Sequence, residues 1–484
     1  MTDWDAETVA RAAKAELAAS PSGVLEGTGP RAAGVDSRRV SPGELFVGLR
    51  GERSDGGRYA AQALQAGAWG ALVAPEHAPA ALAGANGAAV LVHEDPLAGL
   101  QELARAWRRE LGARGAQVVA ITGSTGKTST KDILAALLGS QLRTAASPQN
   151  LNTEIGLPLA ILAAGGDSEA LVLEMAMRGA GQIAQLTAIA QPDVGVIVNV
   201  GPAHLQQLGS LEAIAAAKAE LIAGLAPGAG VVVPASEPLL APHLREDLRT
   251  LTFGEGADVR LVERLADGRV RILHGDVEIE LWPSFAQAHN LRNLLAAVAA
   301  ARALGITPAG RVEVSFSAMR GQRRALAGGI VLIDDCYNAN PMSMRAAIDE
   351  LAETALGRRV AVLGDMLELG RQAPRLHREI GAHARRRGVQ LLVTVGPLAA
   401  EMGGAFAGEA GGAFAGEAHA VGDARAAAQL LGGLLREGDT ILVKGSRGVG
   451  LERVADALAD ASGPAQEHVG ADPLLAPSAA PGRR

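Results

Sequence analysis

Aromatic residues are scarce in this chain, with four Trp, two Tyr and six Phe among 484 residues. Hydrophobic cores must therefore be assembled mainly from Ala, Val, Leu and Ile, although the apolar content of 48% is ordinary for a globular protein. A single cysteine, Cys336, excludes an internal disulfide framework and suits a reducing cytoplasm. No dense basic run accompanies the net charge of −7, which argues against nucleic acid as the main partner. No uninterrupted apolar stretch reaches the roughly 18 residues of a spanning helix, so no membrane span is expected. The opening MTDWDAETVARAAKAEL carries early acidic residues and no apolar signal core. A cytoplasmic protein of roughly two to four domains is expected.

Short apolar runs alternate with helical patterns along the chain, which points to parallel α/β layers in three blocks. The first block, to about residue 115, has strand candidates at 45–49, 70–74 and 89–93. The second opens with VVAIT (118–122) and continues with 170–176 and 194–200; the third, from about 315, has 330–335, 359–365, 391–396 and 440–445. Polar residues sit at the ends of these runs, where open α/β sheets gather their ligands. The tandem octapeptide GGAFAGEA at 403–410 and 411–418 is too short for a solenoid repeat and reads as a duplicated surface loop. The Ala-, Pro- and Gly-rich end, 461–484, reads as a disordered tail.

Residues 118–131, VVAITGSTGKTSTK, carry the most chemistry. An apolar run ends in Gly123-Ser124-Thr125-Gly126-Lys127-Thr128-Ser129, and a helix-forming segment follows. Backbone N–H groups of such a turn and the helix N-terminus favour phosphates. Lys127 would reach the β- and γ-phosphates of ATP, and the Thr128 hydroxyl would ligate Mg²⁺. The usual P-loop pattern would place glycine at 121, where this chain has Ile121.

Glu174, in the otherwise apolar run LVLEM, needs a cation or donors if it is buried, and Mg²⁺ near the P-loop is one such partner. His204, in the turn GPAH after another strand, could ligate a second metal. In the helix that follows, Leu211, Ile214, Lys218, Leu221 and Leu225 form one face, apolar except for Lys218. That lysine either snorkels outward or sits at the site. Beside Mg²⁺ its ammonium would be repelled by about 8 kcal/mol at about 4 Å and an effective dielectric of about 20. A lysine used there must lose its proton or become a carbamate. Asn290 and Asn293 share one face of the helix starting near 288, where either could cap the helix or the pair could read a purine edge. Asp334, Asp335, Asn338 and Asn340 follow a strand run and form a ribose or phosphate contact surface, with Arg320, Arg323, Lys444 and Arg447 as nearby cations.

Taken in order, these strings resemble the Mur ligase family, and within it the MurF type, across about 450 residues. The resemblance is carried by DSRRVSPGELFVGLRGERSDGGRYAAQALQAGAWGALV, ITGSTGKTSTK, NLNTEIGLPL, LEMAMRGAGQI, NVGPAHLQQLGSLEAIAAAKAE, HNLRN, DDCYNANPMSM, LGDMLELG and VKGSRG. It implies a three-domain α/β architecture: a UDP-sugar domain (1–115), a central P-loop ATPase (116–314) and a C-terminal Rossmann-like domain (315–460). It implies a monomeric, ATP-dependent ligase of cell-wall peptidoglycan synthesis. Such an enzyme phosphorylates the terminal carboxylate of UDP-N-acetylmuramoyl-tripeptide, and the amine of D-alanyl-D-alanine then attacks the acyl phosphate.

Carried over by position, the resemblance assigns Gly123 to Ser129, Asn290, Arg320, Asp335 and Asn338 to ATP. It assigns Thr128, Glu174, His204 and a carbamylated Lys218 to two Mg²⁺ ions, with Lys127, Lys218 and His204 as the catalytic set. Ser37 and Arg38 resemble UDP-sugar contacts, and Asn152 and Thr153 muramoyl-side contacts. The family's glycine before His-Asn is Ala288 here, and its Gly-Arg string is scrambled into MRGQRR, leaving Arg323 as the reserve for Arg320. A MurE-type ligase would carry Asp-Asn-Pro-Arg, which does not occur in this chain. A folylpolyglutamate synthase would lack the block that begins DSR. A guanine-binding GTPase would need Asn-Lys, and no Asn precedes a Lys here.

Overall fold

A computed structural model describes residues 1–461 apart from 53, 149 and 409–415. Three sheets follow one another along the chain. The first comprises β1 (Glu16–Ala19), β2 (Ala33–Gly34), β3 (Leu45–Val47), β4 (Gly70–Val73) and β5 (Ala89–Val92), in the order β1-β5-β4-β3-β2. The second contains β6 (Gln117–Thr122), β7 (Thr144–Ala146), β8 (Ala170–Glu174), β9 (Val194–Ile197), β10 (Gly230–Pro234), β11 (Arg249–Phe253), β12 (Val259–Arg264), β13 (Val270–His274), β14 (Val277–Pro283) and β15 (Gly310–Val312). Its order is β15-β14-β13-β12-β11-β10-β9-β6-β8-β7. The third contains β16 (Gln322–Ala325), β17 (Val331–Asp334), β18 (Arg359–Gly364), β19 (Leu391–Val395), β20 (Glu417–Val421) and β21 (Thr440–Lys444), in the order β16-β17-β21-β18-β19-β20. Every strand expected from the apolar runs is present.

Alternation along these strands explains why helices cover both faces of the first and third sheets and of the part of the second sheet around β6. In β6, Val118 and Ala120 join one core while Val119 and Ile121 join another, the latter shared with helices Lys127–Gly139 and Ala288–Ala303. In the third sheet, Ile333, Ala361 and Leu363 pack toward helices Pro341–Thr354 and Ala373–Arg386. Leu332, Val360 and Val362 pack toward helices Ala424–Leu434 and Glu452–Ala461.

Three expectations need correction. None of the three sheets is purely parallel: β1 pairs antiparallel with β5, β16 with β17, and in the second sheet β12, β13 and β14 pair antiparallel. Their period-two pattern buries Val270, Ile272, Ile279 and Leu281, while neighbours such as Arg271 and Glu278 form ion pairs outside. The octapeptide is not simply a loop, since residues 403–407 lie in helix Ala400–Ala407, where Phe406 is fully buried. Most of its second copy, and the tail from 462, fall outside the described residues. In helix Leu211–Ala223, Leu211 is 39% exposed, so the buried stripe is Ile214, Lys218, Leu221 and, just past the C-cap, Leu225.

The second and third units are joined through Ser317, whose N–H and Oγ both donate to Asp132 Oδ2, at 3.1 and 3.0 Å. Within the third unit, fully buried His377 accepts the Met366 N–H on Nε2 at 2.9 Å and donates from Nδ1 to the Ala373 carbonyl at 2.7 Å. Burial lowers its pKa from 6.5, against weaker raising by the Ala373 bond, Asp365 and Glu401. The folded protein thus keeps this ring neutral where the unfolded chain would protonate it. Stability is full above the unfolded value and is lost as pH falls from about 6.5 toward the folded value. Thermal unfolding between pH 7 and 5 should show Tm falling less steeply in His377→Gln than in the parent; equal slopes would contradict the assignment.

Candidate functional site

Strand β6 lies between β8 and β9, with Ile121 opposite Glu174 and Thr122 opposite Ile197. The turn 123–126 is therefore flanked on both sides by strand ends. Gly126 is left-handed (φ +76°) and serves as N-cap of helix Lys127–Gly139. A Cβ there would lie 2.5 Å from Oδ1 of Asn293. Asn199, just past β9, braces the turn: its Oδ1 accepts the N–H groups of Ser124 (3.1 Å) and Thr125 (2.9 Å), and its Nδ2 donates to the Thr125 carbonyl at 3.1 Å. Lys127 Nζ donates to the Gly123 carbonyl at 3.0 Å. Ser129 follows on the helix, half-buried.

Glu174 ends β8 and is 6% exposed. Thr128 Oγ1 donates to its Oε2 at 2.7 Å, and Asn152 Nδ2 to its Oε1 at 2.9 Å. Side chains, rather than neighbouring backbone, thus satisfy this carboxylate. Thr153 is exposed, and its hydroxyl accepts the Gly156 N–H at 3.4 Å.

Lys218 does not snorkel; it is 1% exposed. Burial holds its pKa well below the ordinary lysine value, and Lys127 depresses it further. Burial also lowers the pKa of Lys127, partly countered by Glu174 and reinforced by Arg320. His204, left-handed at φ +59°, has its pKa lowered by burial, raised by Glu368 and lowered again by Lys127 and Lys218. Glu174, Lys127, Lys218, His204 and Arg320 thus form one electrostatic neighbourhood. His204 Nδ1 lies 2.5 Å from Glu368 Oε2. The Thr128 hydroxyl and the Glu174 carboxylate are oxygen donors of the kind a hard divalent ion takes, and Lys218 would add oxygens only as a carbamate.

The third unit brings its strand ends to the same place. Asn340 caps helix Pro341–Thr354, and its Nδ2 also reaches the Ser124 carbonyl at 3.3 Å. Lys444 Nζ bonds Asp335 Oδ2 (2.6 Å) and the Asn338 carbonyl (3.0 Å). Burial lowers the pKa of His289, with Asp335 raising and Lys444 lowering it, so the start of helix Ala288–Ala303 faces this pair. Asn290 and Asn293 are both buried, 3.3 Å apart. Neither caps the helix, a place taken by Gln287. Arg320 lies over the Tyr337 ring at 4.1 Å, and Tyr337 Oη bonds Asn150 of the second unit. Arg323 points instead to Glu350 and Thr354. Asp334 also turns away, toward Arg324 (2.8 Å) and the buried Cys336 thiol. Half-buried Ser37 and exposed Arg38 stay with the first unit, where Arg38 forks onto Asp36 with two 2.9 Å bonds.

Asn199 and Glu368 were not singled out by sequence. Asn199 interrupts the apolar run VGVIVNV in the way Glu174 interrupts its own, so a signal existed. Glu368 lies in LGDMLELG, a string that does not by itself reveal a partner in another unit.

Comparison with known proteins finds three family matches: Mur ligase family, catalytic domain (residues 31–108); Mur ligase middle domain (121–301); and Mur ligase, glutamate ligase domain (319–447). A Bacillus subtilis protein named UDP-N-acetylmuramoyl-tripeptide--D-alanyl-D-alanine ligase is 36% identical over 434 residues, 87% of this chain and 91% of the other. A Mycobacterium tuberculosis protein of the same name is 38% identical over 468 residues, with 87% and 91% covered. Among solved structures, MurF from Acinetobacter baumannii superposes with a TM-score of 0.80 at 28% identity, covering 94% of this chain and 99% of its own. MurF from Thermotoga maritima in complex with ADP gives 0.74 at 30% identity, with 89% and 97% covered.

A left-handed N-cap makes Gly126→Ala costly by about 1–2 kcal/mol, besides displacing Asn293. Calorimetric titration with ADP should show binding weakened at least about tenfold, the equivalent of 1.4 kcal/mol. Unchanged affinity would mean that this turn does not hold the nucleotide.

Proposed function

The chain belongs to the Mur ligase family, and we propose that it is the ATP-dependent ligase that joins D-alanyl-D-alanine to UDP-N-acetylmuramoyl-tripeptide in peptidoglycan precursor synthesis. The observation that carries the reading is a glycine turn whose Thr128 meets the buried carboxylate of Glu174 and which the third unit touches through Asn340. The rival readings, MurE-type ligase and folylpolyglutamate synthase, have less support, since relatives at 36% and 38% identity carry the D-alanyl-D-alanine ligase name. We read residues 1–115, 116–314 and 315–460 as the UDP-sugar, ATP-binding and lid domains. The ADP complex of a MurF neighbour agrees with ATP as the phosphoryl donor.

The chemistry follows from what an amide bond requires. A carboxylate resists an amine until one of its oxygens becomes a leaving group, and transfer of the γ-phosphoryl supplies one. The dipeptide amine then adds to the acyl carbon, and the tetrahedral intermediate expels inorganic phosphate. Such a transfer needs positioning and charge neutralisation rather than covalent help from the protein. Two Mg²⁺ ions, when bound by Thr128, Glu174, His204 and a carbamylated Lys218, would neutralise the phosphates. Lys127 and the free N–H groups at the first turn of helix Lys127–Gly139 cradle the same phosphates, while Asn199 holds the N–H groups of Ser124 and Thr125 to fix the turn. Asn290, Arg320, Asp335 and Asn338 take the rest of the nucleotide, Asn152 and Thr153 the muramoyl side, and Ser37 and Arg38 the UDP end. Docking of the third unit shields the acyl phosphate from water.

Phosphate release from ATP and Mg²⁺ with UDP-N-acetylmuramoyl-tripeptide should depend on added D-alanyl-D-alanine; release indifferent to the dipeptide would remove the ligase reading. Burial, helped by Lys127, lowers the pKa of Lys218 and so favours the uncharged amine, the form that reacts with CO₂. Lys218→Ala should lose activity by roughly a hundredfold, the scale of a lost electrostatic stabiliser, and regain part of it with acetate or another short carboxylate. Full activity in that variant would discard the carbamate.

A further inference from the structure

Two turns from different units interlock beside the nucleotide cradle. One follows β9 and carries His204; the other follows β18 and carries Glu368 at φ +62°. Left-handed backbone costs a residue with a side chain about 1–2 kcal/mol and persists where its surroundings over-determine it. The Glu368 turn is held in that way. The Met366 N–H goes to buried His377 at 2.9 Å, and the Leu367 N–H to Ser446 Oγ at 2.9 Å. The Glu368 carbonyl accepts the Gln206 N–H across the interface at 2.9 Å. Gly370, at φ +55°, permits the close approach, since a Cβ there would stand 3.2 Å from the Gln206 Cα.

The result aims the Glu368 carboxylate at Nδ1 of His204. A carboxylate only accepts, so Nδ1 carries the hydrogen and Nε2 keeps its lone pair free. With its side chains 23% and 36% exposed, this contact between a neutral imidazole and a carboxylate contributes at most about 1 kcal/mol, less than two left-handed residues cost, so stability alone does not account for the arrangement. We propose that Glu368 is a positioning residue: it sets the tautomer and ring orientation of His204, so that the divalent-ion site is complete only while the third unit is docked on the second. The inference rests on the reading of His204 as an ion ligand.

The test uses the full chain, Mn²⁺ and a non-hydrolysable ATP analogue, with bound Mn²⁺ measured by electron paramagnetic resonance. Glu368→Gly suits the left-handed turn and removes the acceptor, whereas Glu368→Gln keeps an acceptor. Loss of an outer-shell partner of a metal-bound histidine typically weakens metal affinity by about 10–100-fold. Glu368→Gly should therefore bind Mn²⁺ at least about tenfold more weakly, and Glu368→Gln should stay within about threefold of the parent. In turnover, Glu368→Gly should need more Mg²⁺ for half-maximal rate, with KM for the UDP-linked substrate unchanged. Parental Mn²⁺ affinity in Glu368→Gly, or equal weakening in both variants, would overturn the proposal. Failure of the parent itself to bind Mn²⁺ with the nucleotide would instead overturn the ion-site reading.

Discussion

The hydrogen bond from Thr128 to the buried carboxylate of Glu174 is the contact on which the site depends. A charged carboxylate taken out of water is tolerated only when donors replace its hydration. Thr128 from the P-loop helix and Asn152 from the segment before helix Gly156–Ala163 supply them, while Ser147 Oγ accepts the Glu174 N–H at 3.0 Å. One buried acid thereby pins three stretches of chain around the end of β8. It also offsets part of the positive charge gathered there, since Glu174 raises the pKa of Lys127 where Arg320 lowers it. A cradle with this excess of cationic groups is built for a polyanion.

Lys218 resolves the remaining electrostatic conflict. A lysine with no exposure to speak of, beside a second lysine and a histidine, sits poorly there as an ammonium. As a neutral amine its burial is tolerable, and as the proposed carbamate it would reverse sign and become a ligand. The same environment that makes the ammonium unfavourable makes the chemistry accessible.

Strand ends from two sheets meet at this point, and the contacts between them are few and specific. Asn340 reaches the P-loop, Met342 occupies the space beside Gly201, where a Cβ could not fit, and Glu368 meets the 204–206 turn. Asn340 illustrates the economy of the arrangement: its Oδ1 caps a helix through the Ser343 N–H while its Nδ2 touches the other unit. These contacts join turns at strand ends, while Ser317 meets Asp132 on helix Lys127–Gly139.

Local signals were enough for most of the architecture and for part of the site. Apolar runs located each expected strand, the strand–glycine–helix order located the cradle, and an acid in an apolar strand marked Glu174. The antiparallel strands β12 to β14 were signalled too, by apolar residues alternating with outward Arg and Glu and by turns at Asp267-Gly268 and Gly275-Asp276, but a search for continuous apolar runs passes over such half-polar strands. Periodicity placed Lys218 on the apolar face but could not say whether its amine reached water, since that depends on what packs above the face. Nor could spacing choose between Arg320 and Arg323, which are three residues apart. They point to different partners only because Arg323 lies in β16 and pairs with helix Pro341–Thr354. Sequence alone determined the layered units, the phosphate turn and the inventory of chemical groups, because these follow from periodicity and from backbone preferences within a few residues. Tertiary structure alone decided which groups meet, notably Glu368 with His204, because 164 residues of chain separate that pair and only the docking of two sheets brings them together.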